Sequence, residues 1–241
     1  MSAPTARGGA AGATAPSSPW NAETTERLRT APGQVRPLTR GEREALMHMH
    51  NTARAQVGAK PLVWDERLAN FAAMYAGQCR LEHWRDTDYP YPRDMQKNGP
   101  PDVVMGENIA WSCPRYGFDG KSAAQRGVEQ WLEELPNYDC ENDVCLRGQC
   151  GHYTQMLWPT SERVGCAIVK CGGPHGNGER CRHGGPGFEA LYCEYSPVGN
   201  VVCCPRQRAV PDPARCPARA ARAIPSFGVL ARHTIWWNDG D

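Results

Sequence analysis

Cysteine is the residue type whose number and spacing most clearly predict chemistry in this chain. The 241 residues include twelve cysteines, and none of them forms the C-x-x-C pair that structural zinc sites use. Reduced thiols at this density are unusual in the cytosol, whereas secreted proteins use them as a disulfide framework. We therefore predict a disulfide-rich, extracellular protein. One alternative is a zinc site built from four residues: Cys171, His175, Cys181 and His183.

Other sequence signals of catalysis or nucleotide binding are weak. Ser161 has no G-x-S-x-G elbow around it, and we interpret it as an exposed turn serine. The glycines at 172–187 lie between predicted strands and do not open a helix, so they do not indicate a phosphate-binding loop. The formal net charge of +1 provides no strong field toward polyanions, and we expect no nucleic-acid partner. No catalytic residue can be assigned.

The first half of the chain has the apolar spacing of helices. One helix is predicted around residues 46–53, with Gly58 as its stop signal. A second begins after Asp65, which serves as its N-cap, and continues to residue 79. A third is predicted at 121–135, where the apolar residues again share a stripe.

The second half of the chain changes to a period of two. Alternation of this kind is typical of strands, and it predicts them at 151–158, 165–171 and 188–195. A glycine-rich loop joins the last two, which favours an antiparallel ribbon. Helices followed by strands predict an α+β fold in which helices cover an antiparallel sheet.

The two ends of the chain differ from its middle in composition. Residues 1–38 are rich in Ala, Pro, Gly, Ser and Thr, and we predict a disordered leader there. No apolar signal-peptide core is visible in it, so the extracellular prediction depends on the cysteines. Residues 205–241 are predicted to be a Pro- and Arg-rich C-terminal tail, which leaves a folded domain at 39–204.

Two segments carry a resemblance to a known family. GHYTQMLWPTSERVGCA at 151–167 resembles the first signature of the CAP superfamily, and LYCEYSPVGN at 191–200 resembles its second. Further matches occur in the expected order, namely NTARAQVGAKPLVWDERLANFAAMYAGQC, CRLEH, GENIAW and WLEELPNY. The chain is similar to cysteine-rich secretory proteins, antigen 5 and especially the plant pathogenesis-related group-one proteins. This resemblance implies a disulfide-rich α-β-α sandwich with a central antiparallel sheet.

The resemblance also implies a cleft lined by His83, Glu107, Glu134 and His152. Two neutral imidazoles can share a divalent cation such as Zn²⁺, while nearby carboxylates orient them or hold water. Two histidines fill only half of a tetrahedral shell, so water or substrate would complete it. The alternative is a hydrogen-bonded polar network that serves structure alone.

Three disulfides follow from the resemblance and not from the spacing. They are Cys79–Cys171, Cys166–Cys193 and Cys145–Cys150. The remaining six cysteines have no partner assigned by the sequence: Cys113, Cys140, Cys181, Cys203, Cys204 and Cys216.

This chain departs from the family pattern at several positions. Trp84 replaces the serine usual after the first His, and the loop before Gly106 is longer than is typical. Glu194 replaces the customary Asn of the second signature. Some plant relatives release a signalling peptide that begins at the proline corresponding to Pro197, but the sequence after it lacks the usual aromatic ending, and we do not predict that peptide here.

The function implied by the resemblance is that of a secreted, monomeric defence or stress protein that binds a sterol or fatty acid. Aromatic candidates for lining the ligand site are Trp84, Tyr89, Tyr91 and Trp111. One alternative is a metal-dependent hydrolase or peptidase that uses Glu107 or Glu134 as general base. Another is an interaction protein whose basic tail, from residue 201, attaches to a cell-wall, matrix or membrane-surface component.

Overall fold

The structure is a computed structural model that describes residues 18–83, 105–113, 117–172, 187–200, 208–210 and 215–216. Within these ranges no helix has both the length and the apolar character needed to cross a membrane. The elements, in chain order, are α1 Ala22–Leu28, β1 Gln34–Pro37, α2 Arg40–Gln56, β2 Val63–Trp64, α3 Glu66–Ala76, β3 Gly106–Ser112, α4 Ala123–Leu132, a 3₁₀ turn Leu135–Asn137, β4 Tyr138–Asp139, β5 Val144–Cys145, α5 Gly151–Leu157, β6 Arg163–Cys171 and β7 Phe188–Ser196.

The main sheet has the strand order β1-β6-β7-β3, and β2 adds a short parallel pairing to β6. The long strands β6 and β7 are antiparallel, with Cys166 opposite Cys193. Strand β3 is antiparallel to β7 and places Glu107 opposite Glu194. The predicted antiparallel ribbon is therefore confirmed, and both of its strands are slightly longer than the sequence pattern indicated.

Helices cover both faces of this sheet. On one face α3 packs its Phe71 and Tyr75 against Val169 and Tyr192. On the other face α2 and α4 form a cluster with the alternate strand residues, among them Leu191. Because side chains alternate along each strand, the two apolar clusters share the same strands. The α-β-α sandwich with a central antiparallel sheet is confirmed.

The predicted helices begin where local hydrogen bonding satisfies their first amides. Asp65 accepts from the amide of Arg67 and caps α3, as expected. Thr39 and Glu42 form a capping box at the start of α2. Arg36 donates two hydrogen bonds to Glu42 at 2.8 Å each, and this contact lowers the pKa of the Glu42 carboxyl to about 2.

Disulfides tie the layers together. The three implied pairs are all present: Cys79–Cys171, Cys166–Cys193 and Cys145–Cys150. A fourth joins Cys140 to Cys216, 76 residues apart in the sequence, and Cys113 is also disulfide-bonded. Since the sulfur of Cys171 is bonded to Cys79, the alternative zinc site at Cys171 is wrong; its other three members lie outside the described residues.

The prediction of a strand at 151–158 is wrong, because Gly151–Leu157 is the helix α5. Its residues from Tyr153 to Leu157 are all buried, so other elements surround this short helix. An apolar stripe on one face is the signal that distinguishes helix from strand, and a seven-residue helix buried on several sides does not show one.

The predicted boundaries of the folded domain are also wrong. Residues 18–37 of the supposed leader include α1, capped by Asn21, and strand β1, which pairs with β6. A strand at the end of a sheet gains backbone hydrogen bonds without large apolar side chains, so composition did not reveal it. At the other end, Ala209 and Val210 are fully buried and Cys216 is bridged, so the folded part extends beyond residue 204.

Candidate functional site

The four residues expected to line a cleft form two histidine–glutamate pairs. His83 follows α3, and its Nδ1 lies 2.7 Å from Oε1 of Glu107, the second residue of β3. His152 is the second residue of α5, and its Nδ1 lies 2.6 Å from Oε1 of Glu134, which follows α4. Four separate segments of the chain therefore supply the two pairs.

The carboxylates fix the tautomer of both rings. An ionised carboxylate only accepts hydrogen bonds, so the proton lies on Nδ1 of each imidazole. The neutral ring then carries its lone pair on Nε2, the atom that binds metals in carboxylate–histidine–metal arrangements. Within the described part of the chain, no three His, Cys, Asp or Glu side chains are arranged to hold a metal ion. In this tautomer each imidazole has the chemistry of a cation ligand at Nε2.

The two pairs differ in exposure. The side chain of His83 is 56% exposed, whereas that of Glu107 is 3% exposed. The side chains of His152 and Glu134 are 16% and 13% exposed. One imidazole therefore extends to solvent from a buried carboxylate, while the other belongs to a largely enclosed pair.

Glu134 also holds the start of α5. Its second oxygen accepts from the backbone amide of Tyr153 at 3.0 Å, and α5 has no side-chain cap of its own at Cys150. A carboxylate is favourable at a helix N-terminus because the unpaired amides and the helix dipole are positive there. The same group thus orients the His152 ring and stabilises the helix that carries it.

The His152 ring is supported from behind by Trp131. The two rings stack, with centroids 6.1 Å apart and planes 20° apart. Trp131 belongs to α4 and is almost fully buried. The ring of His152 is therefore fixed by a hydrogen bond at Nδ1 and by an aromatic face.

A buried chain of hydrogen bonds leads from this pair into the core. The Asn108 amide nitrogen lies 3.0 Å from the carbonyl oxygen of His152 and 3.3 Å from the hydroxyl of Tyr195. Tyr195 is 2.8 Å from Nε2 of His50, whose Nδ1 is 2.9 Å from the Leu46 carbonyl. Because a carbonyl only accepts, His50 carries its proton on Nδ1 and Tyr195 donates to Nε2. Burial lowers the pKa of His50 to about 4, which keeps this ring neutral.

Arg54 holds the other end of α5. It is fully buried and donates to the carbonyls of Met156, Trp158 and Ser161 at 2.8, 2.9 and 2.8 Å, and to that of Lys60 at 2.6 Å. Burial lowers the pKa of the guanidinium to about 10, so it is protonated at neutral pH. A cation at a helix C-terminus complements the dipole and satisfies the last carbonyls.

The segment after β7 packs on α5. Thr154 donates to Asn200 at 2.7 Å, and the amide of Gly199 donates to Gln155 at 3.0 Å. Ser161 donates to the carbonyl of Pro197 at 2.8 Å and is buried. The interpretation of Ser161 as an exposed turn serine is therefore wrong, because its hydroxyl binds this segment.

Glu194, one of the departures from the family pattern, lies beside the first pair. It is fully buried and is the cross-strand partner of Glu107. The pKa of Tyr75 is raised above its usual value. Burial is the largest cause, and the nearby charges of Glu107 and, to a smaller extent, Glu194 add to it. Glu194 thus adds a carboxyl group to the surroundings of the His83–Glu107 pair.

The aromatic lining candidates are only partly described. Trp84, Tyr89 and Tyr91 lie outside the described residues. Trp111 lies on the same face of β3 as Glu107 and packs, half-buried, against the α3 cluster. Its ring therefore contributes to that core, four residues along the strand from Glu107.

Several residues that support the site were not predicted from the sequence as site residues. His50 and Arg54 lie on the buried face of α2, four residues apart, where a polar residue on an apolar helical stripe could have indicated a buried network. Asn108 gave no comparable signal, because its importance depends on a contact with α5 that is distant in sequence.

Comparisons with known proteins agree with the fold. The model of the cysteine-rich secretory protein family, CAP, matches residues 47–195. Pathogenesis-related protein 1C of Nicotiana tabacum is 35% identical over 158 residues, covering 64% of this chain and 73% of that protein. Pathogenesis-related protein 1 of Arabidopsis thaliana is 36% identical over 160 residues, covering 65% and 76%.

A similar solved structure is the crystal structure of NaASP2 with Zn²⁺. It has a TM-score of 0.50 and 21% sequence identity, and the match covers 72% of this chain and 87% of that one. At this level of identity the likeness shows a shared fold.

Proposed function

Because the chain belongs to the cysteine-rich secretory protein (CAP) family, with defence-related pathogenesis-related 1 proteins among its relatives, we propose that it is a secreted defence protein whose cleft holds a divalent cation. The observation that carries this proposal is the pair of contacts between imidazole Nδ1 and carboxylate at 2.7 and 2.6 Å. His83 and His152 hold the cation through Nε2, and Glu107 and Glu134 orient them. A bound Zn²⁺ would polarise a ligand oxygen in the cleft.

An extracellular location is supported by the disulfides. Cys79–Cys171 and Cys140–Cys216 join segments 92 and 76 residues apart in the sequence, and such long-range bridges persist in oxidising compartments. The relatives named above are pathogenesis-related proteins, which supports a defence role.

Zinc titration calorimetry tests the cation proposal directly. The wild-type protein is expected to bind Zn²⁺, and His83→Ala and His152→Ala each to weaken binding at least tenfold, because each removes one of two imidazoles. His48→Ala is the matched control, since His48 is an exposed histidine on α2, and its affinity should stay within twofold. A wild-type protein that binds no divalent cation, or variants that bind as well as wild type, would overturn the proposal.

The same samples distinguish a hydrolase from a binding protein. Glu107 and Glu134 both accept a hydrogen bond from an imidazole, which supports an orienting role for them over that of a general base. We expect no cleavage of peptide or ester libraries in the presence of Zn²⁺. Cleavage that is lost on chelation and restored by zinc would favour the hydrolase.

The apolar ligand in this proposal is a sterol or fatty acid. Trp111, half-buried on the same face of β3 as Glu107, supports an apolar surface on that face. Saturable binding of a radiolabelled sterol is expected, with weaker binding by Trp84→Ala and Trp111→Ala. Trp64→Ala serves as control, because Trp64 packs with the cluster on the opposite face of the sheet. Equal binding by all four proteins would remove these aromatic residues from the ligand site.

A further inference from the structure

Strand β3 carries contacts to both His–Glu pairs on opposite faces. Glu107 and Asn108 are consecutive, so their side chains leave the strand in opposite directions. Glu107 accepts from His83 on the α3 side, while Asn108 donates to the carbonyl of His152 at the start of α5. Consecutive residues at the beginning of one strand therefore contact the two pairs, Glu107 as a member of the first and Asn108 through the His152 backbone.

The side-chain amide of Asn108 suits this position because it can donate two hydrogen bonds from one nitrogen. Its nitrogen has two protons, and both have an acceptor: the His152 carbonyl at 3.0 Å and the Tyr195 hydroxyl at 3.3 Å. The side chain is buried, so water does not replace these bonds easily. An aspartate has the same shape but would place a carboxylate oxygen, which only accepts, against the His152 carbonyl.

The donor and the acceptor of each hydrogen bond beyond Asn108 are also determined. Asn108 donates to Tyr195, Tyr195 donates to His50, and His50 donates to the Leu46 carbonyl. Each group has one role because the carbonyl at the end can only accept. The position of α5 is thereby tied to β3, to β7 and to α2.

We propose that Asn108 is a positioning residue of the cleft, which holds the start of α5 against β3 and so sets the place of the His152–Glu134 pair relative to the His83–Glu107 pair. This inference rests on the proposed function only in treating the two pairs as one site. Asn108 is buried and acts through the backbone of His152. Its loss should loosen the arrangement of the two pairs without removing any of their four side chains.

The test compares Asn108→Ala with Asn70→Ala. Asn70 is a second buried asparagine, which accepts from the amide of Asn21 and donates to the carbonyl of Glu66, away from both pairs. Both substitutions remove two hydrogen bonds, so they should lower the melting temperature similarly. Only Asn108→Ala should reduce Zn²⁺ affinity and the hydrogen-exchange protection of the Tyr153 amide, each at least tenfold, because that amide reports the contact of α5 with Glu134.

A second variant gives a signature that a merely structural residue would not produce. In Asn108→Asp the carboxylate accepts the Tyr195 proton, so Nε2 of His50 loses its donor unless the ring itself takes up a proton. The pKa of His50, about 4 in the wild type, should rise, and histidine NMR signals measure this. Asn108→Asp also loses the donor to the His152 carbonyl, so Tyr153 protection measured in this variant keeps the inference testable if Asn108→Ala does not fold.

The outcomes separate this inference from the proposed function. If wild type binds no Zn²⁺, the cation proposal fails, while the exchange of the Tyr153 amide still decides the role of Asn108. If wild type binds Zn²⁺ and Asn108→Ala retains both the affinity and the Tyr153 protection, the inference is overturned. Equal losses in Asn70→Ala would also overturn it, because they would reflect general destabilisation.

Discussion

Replacement of Arg54 by methionine should be among the most destabilising single changes in this domain. The guanidinium is fully buried and donates to four backbone carbonyls, three of them at or after the end of α5. Methionine has a similar length and fills much of the same space, but it donates no hydrogen bond. Arg54→Met therefore tests the hydrogen bonds with little loss of packing.

The magnitude follows from the carbonyls that lose their donor. A buried polar group left unsatisfied costs about 1 to 3 kcal/mol. At the low end of that range, the four carbonyls together cost about 4 kcal/mol. The low end is used because methionine also removes a charge that was costly to bury, and this gain offsets part of the cost of the four carbonyls. Arg54→Lys keeps the charge, but its compact ammonium lacks the planar fork and satisfies fewer of the four carbonyls. A loss smaller than that of Arg54→Met is therefore expected.

Urea unfolding at pH 7 with the disulfides intact, followed by tryptophan fluorescence, measures these losses. Arg43→Met is the matched control, since Arg43 lies on the same helix but its side chain is 40% exposed and pairs with Glu66 at the surface. Such pairs contribute about 0 to 1 kcal/mol. A loss below about 1 kcal/mol for Arg54→Met, or equal losses for the two methionine variants, would refute the reasoning.

Three further predictions concern stability. The pKa of His50 is about 4 in the folded state and near 6.5 in the unfolded state, so on acidification the unfolded state takes up a proton first. About 3 kcal/mol of stability should therefore be lost as the pH falls from 6.5 to 4. Denaturant titrations across this range measure the loss, and His50→Gln should make stability depend less on pH. Mass mapping of the unreduced protein should recover a Cys140–Cys216 peptide pair, and replacing both by serine should cost about 2 to 4 kcal/mol. Gly165→Ala should cost about 2 to 3 kcal/mol in urea unfolding, because its Cβ would meet the α3 backbone, and a loss under 1 kcal/mol would contradict this packing.

The sequence predicts best those elements whose signals are local. The helices α2, α3 and α4 have an apolar stripe and a capping residue, and β6 and β7 have a clear alternation. Three disulfides follow from the resemblance, since their partners are up to 92 residues apart and composition carries no information about pairing. Elements stabilised mainly by tertiary contacts, such as β1 and α5, were wrongly predicted.

The same distinction applies to the site. The types of His83 and His152 indicate metal or proton chemistry, and the resemblance to the CAP family adds Glu107 and Glu134 without indicating which carboxylate pairs with which imidazole. The residues that fix their positions are ordinary in sequence: an asparagine in a strand, and a histidine and an arginine on a helix. Their roles depend on contacts across 44 to 145 residues, which no local pattern encodes.

The helix α5 explains why stability and site geometry share residues in this fold. At seven residues it is too short to be stable alone, so its position is set by what binds its two ends. Glu134 accepts from the Tyr153 amide near its N-terminus, and Arg54 donates to carbonyls at its C-terminus, so each charge complements the helix dipole. Because Glu134 also binds the His152 ring, loss of Arg54 should disturb the second pair even though Arg54 touches neither of its side chains. Zinc affinity measured on folded Arg54→Lys protein should therefore fall together with its stability, whereas Gly165→Ala should lower stability alone.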